Sequence, residues 1–246
     1  MTGGSRGLGA AIAQALAGAG ADVGLIGRDA SALDATRRRI EQTRRQCQCY
    51  VVEADLATVD GARGAGLAAL AMADTWDILV NNAGTATPAP LLETAPQNWE
   101  RTFAVNARAA LVLSQVLVPQ MLRRKRGKIV NVASLQAFLG TPNLGAYAAS
   151  KSALIQLTRT MAVEWGPYNV QANAVCPTLV MIERNRALWA DPRRRDQRMA
   201  RLARIPAGRF GDPRDVVGVV LFLVGPTADF VNGRVIPVDG GFLATS

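Results

Sequence analysis

Tyr147 and Lys151 stand four residues apart in the Ala-rich run Y-A-A-S-K, which reads as the first turns of a helix. That spacing sets both side chains on one helical face, within reach of each other. A phenol has a reference pKa of about 10, too high for easy proton exchange near neutrality, and a neighbouring ammonium lowers it by favouring the phenolate. The pair is therefore expected to work as a general acid/base, with Lys151 bringing the Tyr147 phenol into a usable range. Ser134 follows an apolar run at 128–133 that reads as a buried strand, so its hydroxyl is expected at the strand's carboxyl end. In open α/β sheets that edge is where ligands bind. An interfacial tyrosine beside a solvated lysine would show the same spacing, so the surrounding elements decide between the two readings.

Those elements alternate. Residues 21–27, 49–54, 76–81, 127–133, 170–175 and 234–238 read as strands, and 10–19, 32–45, 61–72, 97–126, 146–165 and 213–224 as helices. Regular β-α alternation predicts an α/β fold, a doubly wound parallel sheet with helices on both faces. At 246 residues, 49% hydrophobic and 19% charged, the chain suits a single domain over 1–246 with one large core. The Arg-rich segment 183–209, with Trp189 and Asp191-Pro192, reads as a lid over the cleft or as a solvated helical hairpin.

Composition removes several function classes. There is no histidine, which rules out histidine acid/base chemistry and histidine metal ligands. Lys125, Lys128 and Lys151 are the only lysines among 28 basic residues, and the net charge is +9. The arginines are scattered and lack interleaved aromatics, so no nucleic-acid partner is expected. Cys47 and Cys49 are too close for the usual zinc spacing, and three cysteines do not make a disulfide framework, so no metal site is expected and the thiols read as reduced. The apolar run at 216–225 is too short to span a bilayer and no signal peptide is visible, so a cytoplasmic protein without membrane attachment is expected.

A glycine-rich turn opens the chain: Thr2-Gly3-Gly4-Ser5-Arg6-Gly7-Leu8-Gly9. Such a turn lets a pyrophosphate approach the N-terminus of the following helix. This run, N-N-A-G at 81–84, Asn106, Ser134 and Y-A-A-S-K at 147–151 together resemble the short-chain dehydrogenase/reductase family, in its order and spacing across nearly the whole chain. V-D-G-G-F at 238–242 resembles that family's last strand and its exit.

The resemblance implies a Rossmann-type fold and a hydride-transfer reaction on a carbonyl or secondary alcohol. It gives Tyr147 the proton transfer, Ser134 the substrate oxygen, and Lys151 the phenol and the nicotinamide ribose. Asn106 would fix a water that connects Lys151 to solvent. Cofactor contacts are implied for Gly3, Ser5, Arg6, Gly7, Leu8, Gly9, Arg28, Asp55, Leu56, Asn82, Ala83, Gly84, Tyr147, Lys151, Pro177 and Val180. Asp55 has a second reading as a helix N-cap. Gly27-Arg28 stands at the end of the strand expected at 21–27, which corresponds to the family's second strand and where an acid would favour NAD; with Arg6 it offers two guanidiniums to a 2′-phosphate, so NADP(H) is favoured over NAD(H). Asp29 reads as a helix cap. P-T-L-V-M, W-A-D-P and R-I-P-A-G-R-F resemble the sugar- and polyol-oxidising branch that includes L-xylulose (dicarbonyl) reductases. Substrate contacts are implied for Ser134, Gln136, Asn143 and Tyr147. A 3-oxoacyl-thioester reductase and a non-catalytic NADP(H) sensor are the alternatives. The helices at 97–126 and 146–165 resemble those that pack across two-fold axes in family tetramers, which implies a homotetramer or homodimer.

Two departures from the family stand out. Ile182 falls where many members have a threonine that binds the nicotinamide carboxamide, which implies weaker cofactor binding. The glycine motif follows Met1 directly, so the family's first strand, which lies between those at 21–27 and 76–81, is absent. The expectation is that translation starts further upstream and that the natural chain carries several more residues.

Overall fold

A computed structural model describes residues 1–44 and 46–245, and the side chains of all of these except Arg184 and Ala187. The strands are β1 (Val23–Gly27), β2 (Cys49–Glu53), β3 (Ile78–Asn81), β4 (Gly127–Val132), β5 (Val170–Pro177) and β6 (Val235–Val238). The longer helices are α1 (Gly7–Gly18), α2 (Ala30–Thr43), α3 (Val59–Met72), α4 (Pro96–Phe103), α5 (Ala109–Arg124), α6 (Gly145–Trp165), α7 (Glu183–Ala190), α8 (Arg195–Leu202) and α9 (Pro213–Val224). Every expected strand and helix is present to within a few residues. The expected end of the second helix at Arg45 lies outside the described residues.

All strand pairs are parallel, in the orders β1-β2 and β3-β4-β5-β6. β5 is buried along its whole length, as a strand covered by helices on both faces must be. On one face Ile12 and Leu16 of α1 and Val216, Val220 and Leu223 of α9 close over Leu25, Val80, Val130 and Val175. On the other, Leu117 and Met121 of α5 and Met161 of α6 close over Leu79, Ile129 and Ala172. The stretch Pro96–Arg124 is long and apolar enough to cross a bilayer, yet 56% of its most apolar window is buried inside the protein.

The expected gap in the sheet is visible, and three residues stand in it. Thr2 bridges Ile26 in parallel register and its N–H donates to the Val80 carbonyl at 3.0 Å. Ile26 N–H donates to the Met1 carbonyl at 2.9 Å, and Gly3 N–H to the Ile26 carbonyl at 2.8 Å. Among the described residues no full strand joins β1 to β3; Met1–Gly3 alone connect them. Beyond Met1 the slot is lined by Gly24, Trp76, Ile78 and Leu117. The Trp76 ring lies so close to Gly24 that a Cβ there would come within 2.8 Å of it. The Met1 amino group donates to the Gly24 carbonyl at 2.8 Å, and burial lowers its pKa to about 5.

Thr2 is 2% exposed, and its Oγ1 accepts from the N–H groups of Asn82 and Ala83, both at 2.9 Å. Valine at this position keeps the shape but strips both amides of their acceptor. We expect Thr2→Val to lose about 2–4 kcal/mol of unfolding free energy and Thr2→Ser to recover most of it, read from denaturant melts.

Candidate active site

The glycine turn feeds α1, whose N-cap residue, Arg6, makes no capping bond through its side chain. The first-turn amides therefore face outward without a capping group, the arrangement that receives an anion. Gly7 is left-handed, at φ 59°, and a Cβ on Gly9 would come within 2.1 Å of the Gly3 carbonyl oxygen, so neither accepts a larger residue without rearrangement. Asn82 Nδ2 braces the turn by donating to the Thr2 carbonyl at 3.0 Å. Thr36 holds it from outside, donating to the Ser5 carbonyl at 2.9 Å. Leu8 packs against the core beneath. Ile182 covers the turn, with Cδ1 3.1 Å from where a Gly7 Cβ would stand.

Along the edge of the expected adenosine side, Asp29 caps α2 through Ala32 N–H at 3.0 Å and pairs with Arg6. Arg28 is exposed and has no ion-pair partner among the described residues. The cap reading of Asp55 is corrected: Thr58 caps α3, accepting from Gly61 N–H at 3.0 Å. Asp55 instead accepts from Ala57 N–H at 3.1 Å and faces Arg101 at 3.6 Å. The Leu56 side chain is buried with Ile26, Val52 and Ala62, so only its backbone is available to a ligand.

At the carboxyl ends of β4 and β5 the expected chemical groups come together. Ser134 follows β4, and its side chain lies near enough to the Tyr147 phenol to lower the phenol's pKa. Its Oγ also accepts from Gln136 N–H at 3.2 Å. Lys151, 2% exposed, donates from Nζ to the Val132 carbonyl at 2.7 Å and lies 5.9 Å from the Tyr147 ring centroid. A Cβ on Gly84 would stand 3.5 Å from both Lys151 Nζ and Asn106 Oδ1, so the 82–84 strip runs directly past the pair.

The electrostatics revise the sequence expectation. Burial raises the Tyr147 pKa, the nearby Ser134 side chain opposes it, and the lysine does not bring it below the ordinary phenol value. Burial likewise lowers Lys151 from 10.5 to about 8. Desolvation outweighs attraction because Lys151 is buried and Tyr147 half-buried. Cys176 is buried near Ser134 and Lys151, and burial raises its thiol to about 12, so it stays neutral. From the sequence that cysteine read as idle.

Asn106 lies in a π-helical turn, Ala104–Arg108, between α4 and α5. Periodicity does not reveal such a turn, and π turns gather at functional sites. The Asn106 amide exchanges hydrogen bonds with both backbone groups of Thr85, at 2.8 and 3.0 Å, and donates to Ser150 Oγ at 2.9 Å. Ser150 in turn donates to the Tyr147 carbonyl at 2.7 Å, a link that the sequence did not signal. Asn143, read as a substrate ligand, is exposed at φ 65°, a conformation asparagine tolerates, and its carbonyl accepts from Ala89 N–H at 3.0 Å. It does not line the cleft that Gln136 lines. Pro177 pairs with Val238 at the sheet edge. The Val180 carbonyl is taken by Asn185 Nδ2 at 2.9 Å.

A phosphate-receiving turn on one half of a doubly wound sheet, beside a tyrosine-lysine-serine group at its carboxyl edge, defines a dinucleotide-dependent oxidoreductase. Residues 3–243 match the family model adh_short_C2, described as enoyl-(acyl carrier protein) reductase. The chain belongs to the short-chain dehydrogenase/reductase family and is an oxidoreductase of CH–OH groups. It is 38% identical to L-xylulose reductase of Bos taurus over 246 residues, covering 100% of this chain and 96% of that one. It is 37% identical to gluconate 5-dehydrogenase of Gluconobacter oxydans, covering 98% and 92%. The structure of a gluconate 5-dehydrogenase from Burkholderia cenocepacia with NADP and tartrate superposes with a TM-score of 0.90 at 34% identity, covering 99% of this chain and 93% of that one.

The unfolded chain holds the Lys151 proton up to about pH 10.5, whereas the folded protein releases it near pH 8. Between those values the folded state binds fewer protons and gains stability as pH rises. Lys151→Met should abolish that increment, which denaturant melts of both proteins across the window will measure.

Proposed function

We propose that the protein transfers hydride between NADP(H) and the carbonyl or secondary alcohol of a sugar, a polyol or a related small ketone. The observation that carries this reading is the grouping of Ser134, the Tyr147 phenol and a buried Lys151 at the carboxyl edge of the sheet, beside Gly84. A bound nicotinamide supplies or accepts the hydride. In reduction, Tyr147 gives its proton to the substrate oxygen while Ser134 donates a hydrogen bond to the same atom and steadies the developing charge. Lys151, as a cation below the ring, stabilises the phenolate left behind, which offsets the burial that disfavours it. Asn106 ties the 84–85 backbone to α6 and so holds the strip and the pair in register; the water relay to Lys151 is assigned to the same turn.

The glycine turn of residues 3–9, Asp55, the Leu56 backbone, residues 82–84, Pro177 and Val180 are assigned to the dinucleotide, and residues 183–209 to a lid within one catalytic domain. NADP(H) over NAD(H) is supported by exposed Arg28 and by Arg6, whose partner Asp29 is already engaged in capping α2. The reductases and dehydrogenases of sugars among the relatives favour a sugar or polyol over an acyl thioester, and the complete tyrosine-lysine pair favours turnover over sensing. A homotetramer is supported by exposed Leu111 on α5 and Val163 on α6, and a cytoplasmic location by three free cysteines.

Tyr147→Phe should cut NADPH oxidation with L-xylulose or diacetyl by about 10²–10⁴-fold while leaving the melting temperature and NADPH binding near wild type. A fully active phenylalanine variant would sink the mechanism. For the nucleotide, Arg28→Ala should raise KM for NADPH about tenfold or more and leave KM for NADH nearly unchanged, since only the former carries the 2′-phosphate.

A further inference from the structure

A cleft of about 280 Å³ lies next to Ser134, bounded by Leu135 and Gln136 from the segment after β4 and by residues of the 183–209 segment. Its walls include Leu139, Ile205 and Phe210, and its neutral polar groups are Gln136, Thr141 and Thr178. Thr141 donates to the Gln136 side chain, whose own backbone N–H bonds Ser134 Oγ, so the polar lining leads directly to the proton-transfer hydroxyls. The charged residues of the cleft are Arg201 and Arg204, and among the described residues no Asp or Glu lines it.

Within the 183–209 segment, Arg194, Arg195 and Arg198 lack a carboxylate partner among the described residues but do not line the cleft, and other arginines are paired. Arg193 is neutralised by Asp191 at 2.8 Å and Arg209 by Asp215 at 2.6 Å. Neither Arg201 nor Arg204 has a carboxylate partner among the described residues. Each is instead laid against an aromatic ring: Arg201 over Trp189 at 5.2 Å, and Arg204 over Phe242 at 4.4 Å. Stacking uses the flat face of a guanidinium and leaves its N–H edge for a planar acceptor, with less rotamer freedom to lose on binding. Two such groups over a cleft lined with amide and hydroxyl groups suit a polyhydroxylated substrate that ends in an anion.

We propose that Arg201 and Arg204 bind the carboxylate of an open-chain sugar acid and that this chain prefers such acids to neutral polyols. Gln136, Thr141 and Thr178 then take intervening hydroxyls, and the reacting carbon lies at Ser134 and Tyr147. In oxidation the carbinol C–H would leave as hydride to the oxidised nicotinamide, the O–H proton would pass to the deprotonated Tyr147 phenolate, and the product would be the keto acid with its carboxylate unchanged. The proposal rests on the oxidoreductase reading above.

The test compares NADP⁺ reduction with gluconate, with sorbitol, which has CH₂OH in place of the carboxylate, and with sorbitol 6-phosphate. It uses the full chain, R201Q/R204Q and R201K/R204K. Gluconate should be preferred to sorbitol in kcat/KM by about tenfold or more, mostly through KM, and that ratio should fall about tenfold in the glutamine variant and recover in part with lysine. Added salt should raise the gluconate KM of the wild type more than that of sorbitol, a readout that needs no variant. Calorimetric titration of gluconate into the NADP⁺-loaded protein should follow the same order. An unchanged ratio in a glutamine variant that melts normally overturns the proposal, as does better use of the phosphate ester than of gluconate. If no sugar or polyol of any charge is bound or turned over, and Tyr147→Phe changes nothing, the oxidoreductase reading falls with it.

Discussion

The hydroxyl of Thr2 is the point through which the site is registered. It accepts two backbone N–H groups from residues 82 and 83, while the backbone around it is paired to Ile26 on one side and Val80 on the other. Backbone amides buried without partners are costly, so this arrangement admits little slack. The glycine turn is thereby fixed against the 82–84 strip. That strip passes Asn106 and Lys151 at Gly84, so a chain of direct contacts connects the phosphate-receiving turn to the tyrosine.

The second constraint is dryness. Lys151 is almost wholly buried, and one carbonyl, that of Val132, receives its Nζ. In water the lysine would hold its proton firmly; here it is poised near pH 8. The same burial raises the phenol above its ordinary value, so the two proton-bearing groups are driven apart in pKa and the lysine becomes the more acidic of the two. The neutral, buried Cys176 thiol nearby adds no charge.

Most of this was legible in the sequence because the signals are short-range. β-branched runs and amphipathic segments mark all six strands and the longer helices, and the Tyr147–Lys151 spacing needs one helical turn to become a contact. What was not legible depends on the third dimension. The π turn at Ala104–Arg108 breaks the helical period without any residue that announces it. Desolvation at Tyr147 depends on what covers it, which no pairwise spacing encodes. The cap of α3 passed from Asp55 to Thr58 because both are good capping residues three positions apart, and the chain's path chooses between them. Asn143 stands at a left-handed turn position, which its side-chain chemistry alone does not announce. The arginines of the 183–209 segment look alike in sequence; only their place on the cleft and their stacking partners set Arg201 and Arg204 apart.

The junction at Met1–Gly3 also shapes how the molecule comes apart. Among the described residues, backbone hydrogen bonds from Met1–Gly3 join the β1-β2 unit to the four-stranded unit, and Trp76 packs across the same joint against Gly24 and Tyr50. On the proposed binding mode a dinucleotide rests on both units at once, and its affinity adds to the joint by mass action. The nucleotide then works as a rivet as well as a reagent. Resistance to proteolytic nicking, and with it the lifetime of the polypeptide, follows how much of the pool is loaded.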